Sequence, residues 1–149
     1  LFFLVVQHIA DVRESTPARI HVKVQQFGAD SPFAFVGMAL AISVGHSLLE
    51  EYYWRWFVYG ELRSAGPSGF ATLWSSVGFA AHHVVLLATF FGLGHPLTWL
   101  FSAAIAVGGA VWAWLYERSA QLYGPWVSHL LVDAAIFAIG YTIVAPTFD

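Results

Sequence analysis

The sequence predicts an all-α fold, a polytopic transmembrane helix bundle with four complete spans and the N-terminal remnant of a further span. Hydrophobic residues make up 58% of the 149 residues and charged residues only 10%, whereas a soluble domain carries roughly 25% charged residues. No Asp, Glu, Lys or Arg occurs in the 53 residues from Ser64 to Tyr116. Because one bilayer crossing takes about 20 residues, this run must hold two crossings. We therefore expect an integral, multi-pass membrane protein, located in the cell membrane if the source is a prokaryote.

Charge and cysteine content exclude several classes of function. The net charge is −3 and the sequence has no basic stripe of the kind that nucleic acid requires, so no nucleic-acid partner is expected. Cysteine is absent, which excludes disulfides, thiolate zinc sites and a cysteine nucleophile. The partner that the composition does predict is the lipid bilayer.

The chain before the first complete span divides into two parts. Residues 1–10 begin with an apolar run, which we interpret as a remnant helix because no basic segment precedes it. Residues 11–32 form a polar connector, in which the alternating segment 20–25 is typical of a short strand or an interfacial segment. Residues 33–146 then form the core of a single membrane domain that covers residues 1–149.

Four spans are predicted in this core. Ser31 and Pro32 are typical of an N-cap followed by a proline in the first helical turn. The first span then runs from about Phe33 to Tyr59, and Gly60 and the glycine- and proline-containing segment 64–69 are expected to end it. The other three spans run from about Phe70 to Phe91, from about Leu97 to Glu117 and from about Pro125 to Val144.

The first span carries charged residues inside its apolar sequence, where each costs on the order of 3 kcal/mol and is normally kept for a function. Glu51 and Arg55 lie four residues apart with the glutamate first, the favourable order for an intrahelical ion pair, and we interpret them as structural support. Glu50 points about 100° away from Glu51 and has no basic partner on its own face, although His46 could contact it. An unpaired carboxylate in an apolar site is suited to act as a general base or acid.

Two later spans also carry ionisable side chains. Phe79 and His83 share a face of the second span, whereas His82 and His83 diverge. His129 and Asp133 are four residues apart in the fourth span. A single histidine on an apolar helix is usually a packing residue, and a histidine–aspartate pair at this spacing can satisfy itself, so neither motif alone defines a site.

Depth in the membrane favours one shared site. At 1.5 Å per residue, Glu50 lies about 15 Å from the Gly60 end of its span. His83 lies about 20 Å from the start of the second span, and Asp133 about 12 Å from the start of the fourth. All three of these ends lie on the same side of the membrane, so the groups are expected to converge at one level.

The order of these motifs resembles the CPBP family, the CAAX-protease and bacteriocin-processing proteins, which are also called the Abi family and are related to type II CAAX prenyl endopeptidases. The matching motifs are Glu-Glu-x-x-x-Arg at 50–55, Phe-x-x-x-His at 79–83 and His-x-x-x-Asp at 129–133. Trp56 stands where members commonly have glycine, and Asp133 stands where they often have asparagine. An asparagine amide always donates hydrogen bonds, whereas a carboxyl group donates only when it is protonated.

The resemblance implies that residues 33–146 are the catalytic core of an intramembrane endopeptidase. Its substrate would be a membrane-associated or lipidated protein or peptide. Glu50, assisted by His83, would activate a water that attacks the scissile carbonyl. His129, together with Asp133, would stabilise the oxyanion that forms.

The resemblance also implies a structural role and leaves the cofactor open. Glu51 and Arg55 would fix the first span and hold its charge in place. One glutamate and two histidines are a legitimate zinc set, so Glu50, His83 and His129 are the expected ligands if a metal is present. Because these residues come from three separate helices without an HExxH-like pairing, a metal-free, glutamate-based site is favoured.

Two other classes of function also bury ionisable residues in a membrane. A transporter or proton-relay subunit would spread polar groups through the full thickness of the bilayer. A non-catalytic membrane scaffold or immunity protein would keep the fold without the chemistry. The protease predicts instead that Glu50, His83 and His129 face one polar cavity, close enough to share a water or a substrate carbonyl.

Overall fold

The structure, a computed structural model, describes residues 20–148. Residues 20–26 are helical (α1), so the short strand considered for this segment is wrong. Val24 of α1 packs with Phe35 and Val144, which attaches the segment to the helical core. The predicted remnant helix at 1–10 and the first part of the polar connector lie outside the described residues.

Helix α2 spans Pro32–Ala65 and has 34 residues. Ser31 caps it, because its hydroxyl oxygen accepts a hydrogen bond from the backbone N–H of Ala34, and Pro32 occupies the first turn as predicted. The predicted end at Gly60 is wrong, since the helix continues through it and stops at Gly66, whose backbone is extended. A glycine lowers helix stability by only about 1 kcal/mol, whereas the residue before a proline, here Pro67, is driven out of the helical conformation.

Two wide, π-helical stretches flank the glutamate pair in α2, at Ala41–His46 and Tyr52–Tyr59. In the first, the backbone N–H of Ser47 donates to the carbonyl of Ile42, five residues back instead of four. Such turns occur often at functional sites. They also change the rotation of side chains along the helix, so ordinary α-helical spacing does not fix which residues share a face across them.

Three further long helices complete the bundle: α3 at Ser68–Phe91, α4 at Pro96–Ser119 and α5 at Tyr123–Val144. With α2 they make four helices that are long and apolar enough to cross a membrane. Between residues 20 and 148 the chain forms helices and turns without a strand. The predicted all-α, multi-pass membrane fold is thus confirmed.

Packing places the middle of α2 at the centre of the bundle. Its first half packs against α5 and its second half against α3 and α4. Helices α3 and α4 form the most extensive pair, with Gly109 at their closest approach, where an added Cβ would lie 3.3 Å from the Cα of Ser76. The glutamate pair therefore lies in the part of α2 where its packing changes from α5 to α3 and α4.

A polar contact attaches the end of α2 to α4. The hydroxyl of Tyr59 donates to Glu117 at 2.7 Å, and Nε of Arg63 donates to the same carboxylate at 3.0 Å. Tyr59 is buried, so this contact holds the second half of α2 against α4.

Candidate active site

The centre of the site is a buried ion pair within α2. Nε of Arg55 lies 3.1 Å from Oε2 of Glu51, and both side chains are almost fully buried, which confirms the predicted pairing. The guanidinium lies 4.5 Å from the ring centroid of Phe79 and 5.1 Å from that of Trp112, so its faces meet aromatic rings. Nη2 also reaches the carbonyl of Gly109 at 3.5 Å. The pair therefore joins α2 to α3 and α4 at one point.

His129 of α5 binds the same glutamate from the other side. Its Nδ1 lies 2.8 Å from Oε1 of Glu51. Since Glu51 is the ion-pair partner of Arg55, its carboxylate accepts and the imidazole Nδ1–H donates. The ring stacks on Trp112 at 4.0 Å between centroids, and the indole N–H of Trp112 donates to Ser128 at 2.8 Å. These contacts fix the plane of the imidazole.

The second nitrogen of His129 points towards two other carboxylates. Nε2 lies 3.6 Å from Oε2 of Glu50 and 3.7 Å from Oδ1 of Asp133. Three of the sequence-predicted catalytic side chains are thus adjacent, from α2 and α5.

His83 of α3 approaches Glu50 from a third helix. Its Nδ1 lies 2.9 Å from the carbonyl oxygen of Phe79, which can only accept, so Nδ1–H donates. Nε2 then lies 3.9 Å from Oε1 of Glu50. Phe79 and His83 share a face as predicted, with their rings 4.7 Å apart.

His82 is the residue of this cluster that sequence reasoning missed. Its Nε2 lies 2.9 Å from Oε1 of Glu50, so the expectation of an unpaired carboxylate at Glu50 is wrong. The rings of His82 and His83 do leave α3 in different directions, yet their centroids are 4.0 Å apart and both reach Glu50, which lies between them. Two adjacent histidines in an apolar helix were the signal that could have identified both.

His46 completes a ring of four histidines around Glu50. Its Nδ1 lies 3.7 Å from Oε2 of Glu50, the contact that the spacing in the first span allowed. The side chain of His46 is 59% exposed and that of His82 is 42% exposed, against 10% for Glu50. Glu50 is therefore reached from the bundle exterior past these two histidines, while His83 and His129 approach it from the interior.

Three of these side chains could hold a metal ion. Glu50, His82 and His83 each offer one ligand atom, and these atoms lie within 4.8 Å of one another. The set differs from the predicted one in that His82 takes the place of His129. The nitrogen of His129 nearest a carboxylate is Nδ1, and it is bound to Glu51.

The nearest hydroxyl on α2 takes no part in this cluster. Ser47 is buried, and its hydroxyl donates to the carbonyl of Ser43 one turn earlier. Nothing about this contact marks Ser47 as a nucleophile, in agreement with the sequence.

Fold and site together define a multi-pass integral membrane protein that gathers buried glutamates and histidines from three helices at one level. A family model described as type II CAAX prenyl endopeptidase Rce1-like matches residues 32–135. The chain belongs to this family of CAAX-type intramembrane endopeptidases, which confirms the resemblance found in the three motifs. Comparison with curated proteins and with solved structures gave no match.

Proposed function

We propose that this chain is a glutamate-dependent intramembrane endopeptidase, in which Glu50 and His83 activate the attacking water. The observation that carries the proposal is the 3.9 Å separation between Nε2 of His83 and Oε1 of Glu50. This distance is too long for a direct hydrogen bond, and both atoms are acceptors while Nδ1–H of His83 donates to Phe79. A water between them can donate one hydrogen to each, which turns a lone pair of its oxygen towards a substrate carbonyl.

His129 and Asp133 supply the other half of the proposed chemistry. When the His129 ring carries a proton on each nitrogen, Nδ1–H donates to Glu51 and Nε2–H is free to donate to an oxyanion. The carboxylate of Glu51 and the stacked face of Trp112 both favour a positively charged ring. Asp133, 3.7 Å away, adds a counter-ion where other members have an amide donor. One such oxyanion donor is typically worth about 3 kcal/mol.

The proposed reaction is balanced by the groups already named. The water oxygen bonds to the scissile carbonyl carbon, and its proton passes to the carboxylate of Glu50. The carbon–nitrogen bond then breaks, and Glu50 returns the proton to the leaving amine. A membrane-associated or lipidated protein or peptide is the proposed substrate, in keeping with the family.

A metal would supply different chemistry at the same place. A zinc ion held by Glu50, His82 and His83 would act as a Lewis acid that polarises a bound water, and one carboxylate with two imidazoles is a known catalytic zinc set. We favour the metal-free site because Glu50 and His82 are only 2.9 Å apart. Two ligands of a tetrahedral zinc with bonds of 2.0 Å would be separated by about 3.3 Å, so the observed contact is a hydrogen bond.

Metal content decides between these two versions. We expect purified protein to contain no stoichiometric zinc, and its cleavage activity to survive strong chelators. The measurement is elemental analysis together with activity before and after chelation. One tightly bound zinc per chain, with activity lost on its removal and restored by its return, would replace the metal-free version and leave the protease class unchanged.

The proposed function is tested by Glu50→Gln in the full chain reconstituted in liposomes, with a farnesylated CAAX peptide as the probe. Gln keeps the shape of the side chain but removes its basicity, so turnover should fall by at least about a hundredfold. Glu61→Gln is the matched control, because Glu61 is an exposed residue near the end of the same helix. Normal cleavage by Glu50→Gln, at an unchanged melting temperature, would contradict the proposal.

A further inference from the structure

His82 is more exposed than the carboxylate to which it binds, so something must hold it in place. Its Nε2 lies 2.9 Å from Oε1 of Glu50, while 42% of its side chain is exposed. An exposed imidazole loses rotamer freedom when it keeps one orientation, and a single hydrogen bond in contact with water offsets little of that loss.

The holding group is the indole of Trp54. The rings of His82 and Trp54 are stacked, with centroids 5.5 Å apart and planes 9° from parallel. Trp54 belongs to α2 and His82 to α3, so the stack also bridges the two helices that carry the proposed base and its partner. The indole is fixed in turn by an edge contact with Phe79, 5.9 Å between centroids.

The position of this indole depends on one glycine. A Cβ added at Gly78 would lie 2.8 Å from Cζ3 of Trp54. Real Cβ atoms do not approach so closely, so any larger residue here would displace the ring. Gly78 lies one turn before His82 on the same face of α3, and the indole covers both positions.

We propose that Gly78, Trp54 and His82 form a positioning chain that orients the carboxylate of Glu50 from the exposed side of the site. Gly78 makes room for the indole, the indole holds the imidazole, and the imidazole binds Oε1 of Glu50. The orientation of Oε1 matters because this oxygen also faces His83 across the gap assigned to the attacking water. The inference rests on the proposed function, and it adds a positioning residue that none of the three family motifs contains.

Kinetics of four variants test the chain. His82→Leu removes the donor, and kcat should fall by about tenfold to a hundredfold with KM little changed, as misplacement of a reacting group does. His82→Gln keeps an N–H donor near the position of Nε2 and should recover most of kcat. Gly78→Ala should lower kcat as His82→Leu does, although it changes no residue that contacts Glu50. Gly60→Ala, where an added Cβ meets nothing within 4 Å, should leave kcat at the parent value.

A second measurement reports the stack without using activity. In protein with ¹³C-labelled histidine, the ring signals of His82 should be displaced upfield by the indole, and His82→Gln identifies them by their loss. Gly78→Ala should remove the displacement, and Gly60→Ala should retain it. An unchanged displacement in Gly78→Ala would overturn the chain. Loss of the displacement with kcat unaffected would overturn its positioning role, whereas an intact displacement in a parent protein without Glu50-dependent cleavage would overturn the proposed function instead.

Discussion

The two adjacent glutamates of α2 have opposite surroundings. Glu51 is fully buried, and its two oxygens meet Arg55 on one side and His129 on the other. Glu50, rotated by about 100° around the helix, faces histidines from α3 and the exposed edge of the bundle. One side chain is therefore held at both oxygens by fixed partners, while the other is set beside a gap that can admit a water.

Glu51→Gln should lower stability before it lowers chemistry. The change leaves the guanidinium of Arg55 buried without its counter-ion, which costs about 3–5 kcal/mol for a fully buried pair. We expect a lower melting temperature for Glu51→Gln than for Glu50→Gln, and a loss of activity that follows from displacement of the helix. Paired thermal unfolding and cleavage assays measure both effects. A Glu51→Gln protein that unfolds like the parent yet is inactive would show that the two roles are assigned the wrong way round.

Sequence spacing predicted part of this site and missed another part for a physical reason. The Glu51–Arg55 pair follows from helical geometry within one element, and it is present. His82 was set aside because its direction on α3 differs from that of His83. Direction on one helix does not exclude a contact with a group that lies between two side chains, and that position depends on how α2 packs against α3.

Among the helices, the close approach of α3 and α4 supports the position of Arg55. Gly109 lies against Ser76 and Phe79 of α3, and its carbonyl oxygen faces Nη2 of Arg55. A side chain at this position would separate the two helices and withdraw the carbonyl from the guanidinium.

Gly109→Leu should therefore destabilise the bundle by about 1–3 kcal/mol, the usual cost of overpacking, and should lower activity together with the melting temperature. Gly108→Leu is the matched control one residue earlier, where an added Cβ meets Trp112 at an ordinary 3.6 Å. Thermal unfolding in one detergent compares the two. Equal melting temperatures would mean that the approach at Gly109 does not limit the packing.

The lengths of the elements were predicted better than their junctions. Apolar runs gave all four long helices, since the bilayer sets how long such a run must be. The end of α2 was placed at Gly60 because glycine is a weak helix former, yet the neighbouring contact of Tyr59 with Glu117 holds the helix together beyond it. That contact joins residues far apart in sequence, so local propensity could not reveal it.

At the scale of the whole molecule, polar groups lie inside and large apolar side chains lie outside. Buried residues include Glu50, Glu51, Arg55 and His129, whereas many large hydrophobic side chains on all four spans are exposed. In water this arrangement would be unfavourable, but in a bilayer the exposed apolar faces contact lipid. The bundle is therefore held by its polar centre and by close helix packing more than by an apolar core.

This arrangement predicts that access to Glu50 can be blocked from one side. The chain has no cysteine, so the thiol introduced by His46→Cys is the single site for a bulky maleimide. Labelling should remove most of the cleavage activity, because the side chain of His46 is exposed and lies beside Glu50. Leu131→Cys is the control, an exposed position two residues from His129 and so on the opposite face of α5. Full activity after labelling at position 46 would place the route to Glu50 elsewhere.

The wide turns of α2 have a consequence for how such sequences change over generations. A π-helical turn holds one residue more than the α-helix around it, so it corresponds to a one-residue insertion that the helix absorbed. Removing one residue from Ala41–His46 would leave a continuous helix but rotate everything before it by about 100° relative to the glutamates. Single-residue gaps among related sequences are therefore expected to be rarer in Ala41–His46 and Tyr52–Tyr59 than in the chain beyond Tyr59, where α2 has already passed the site.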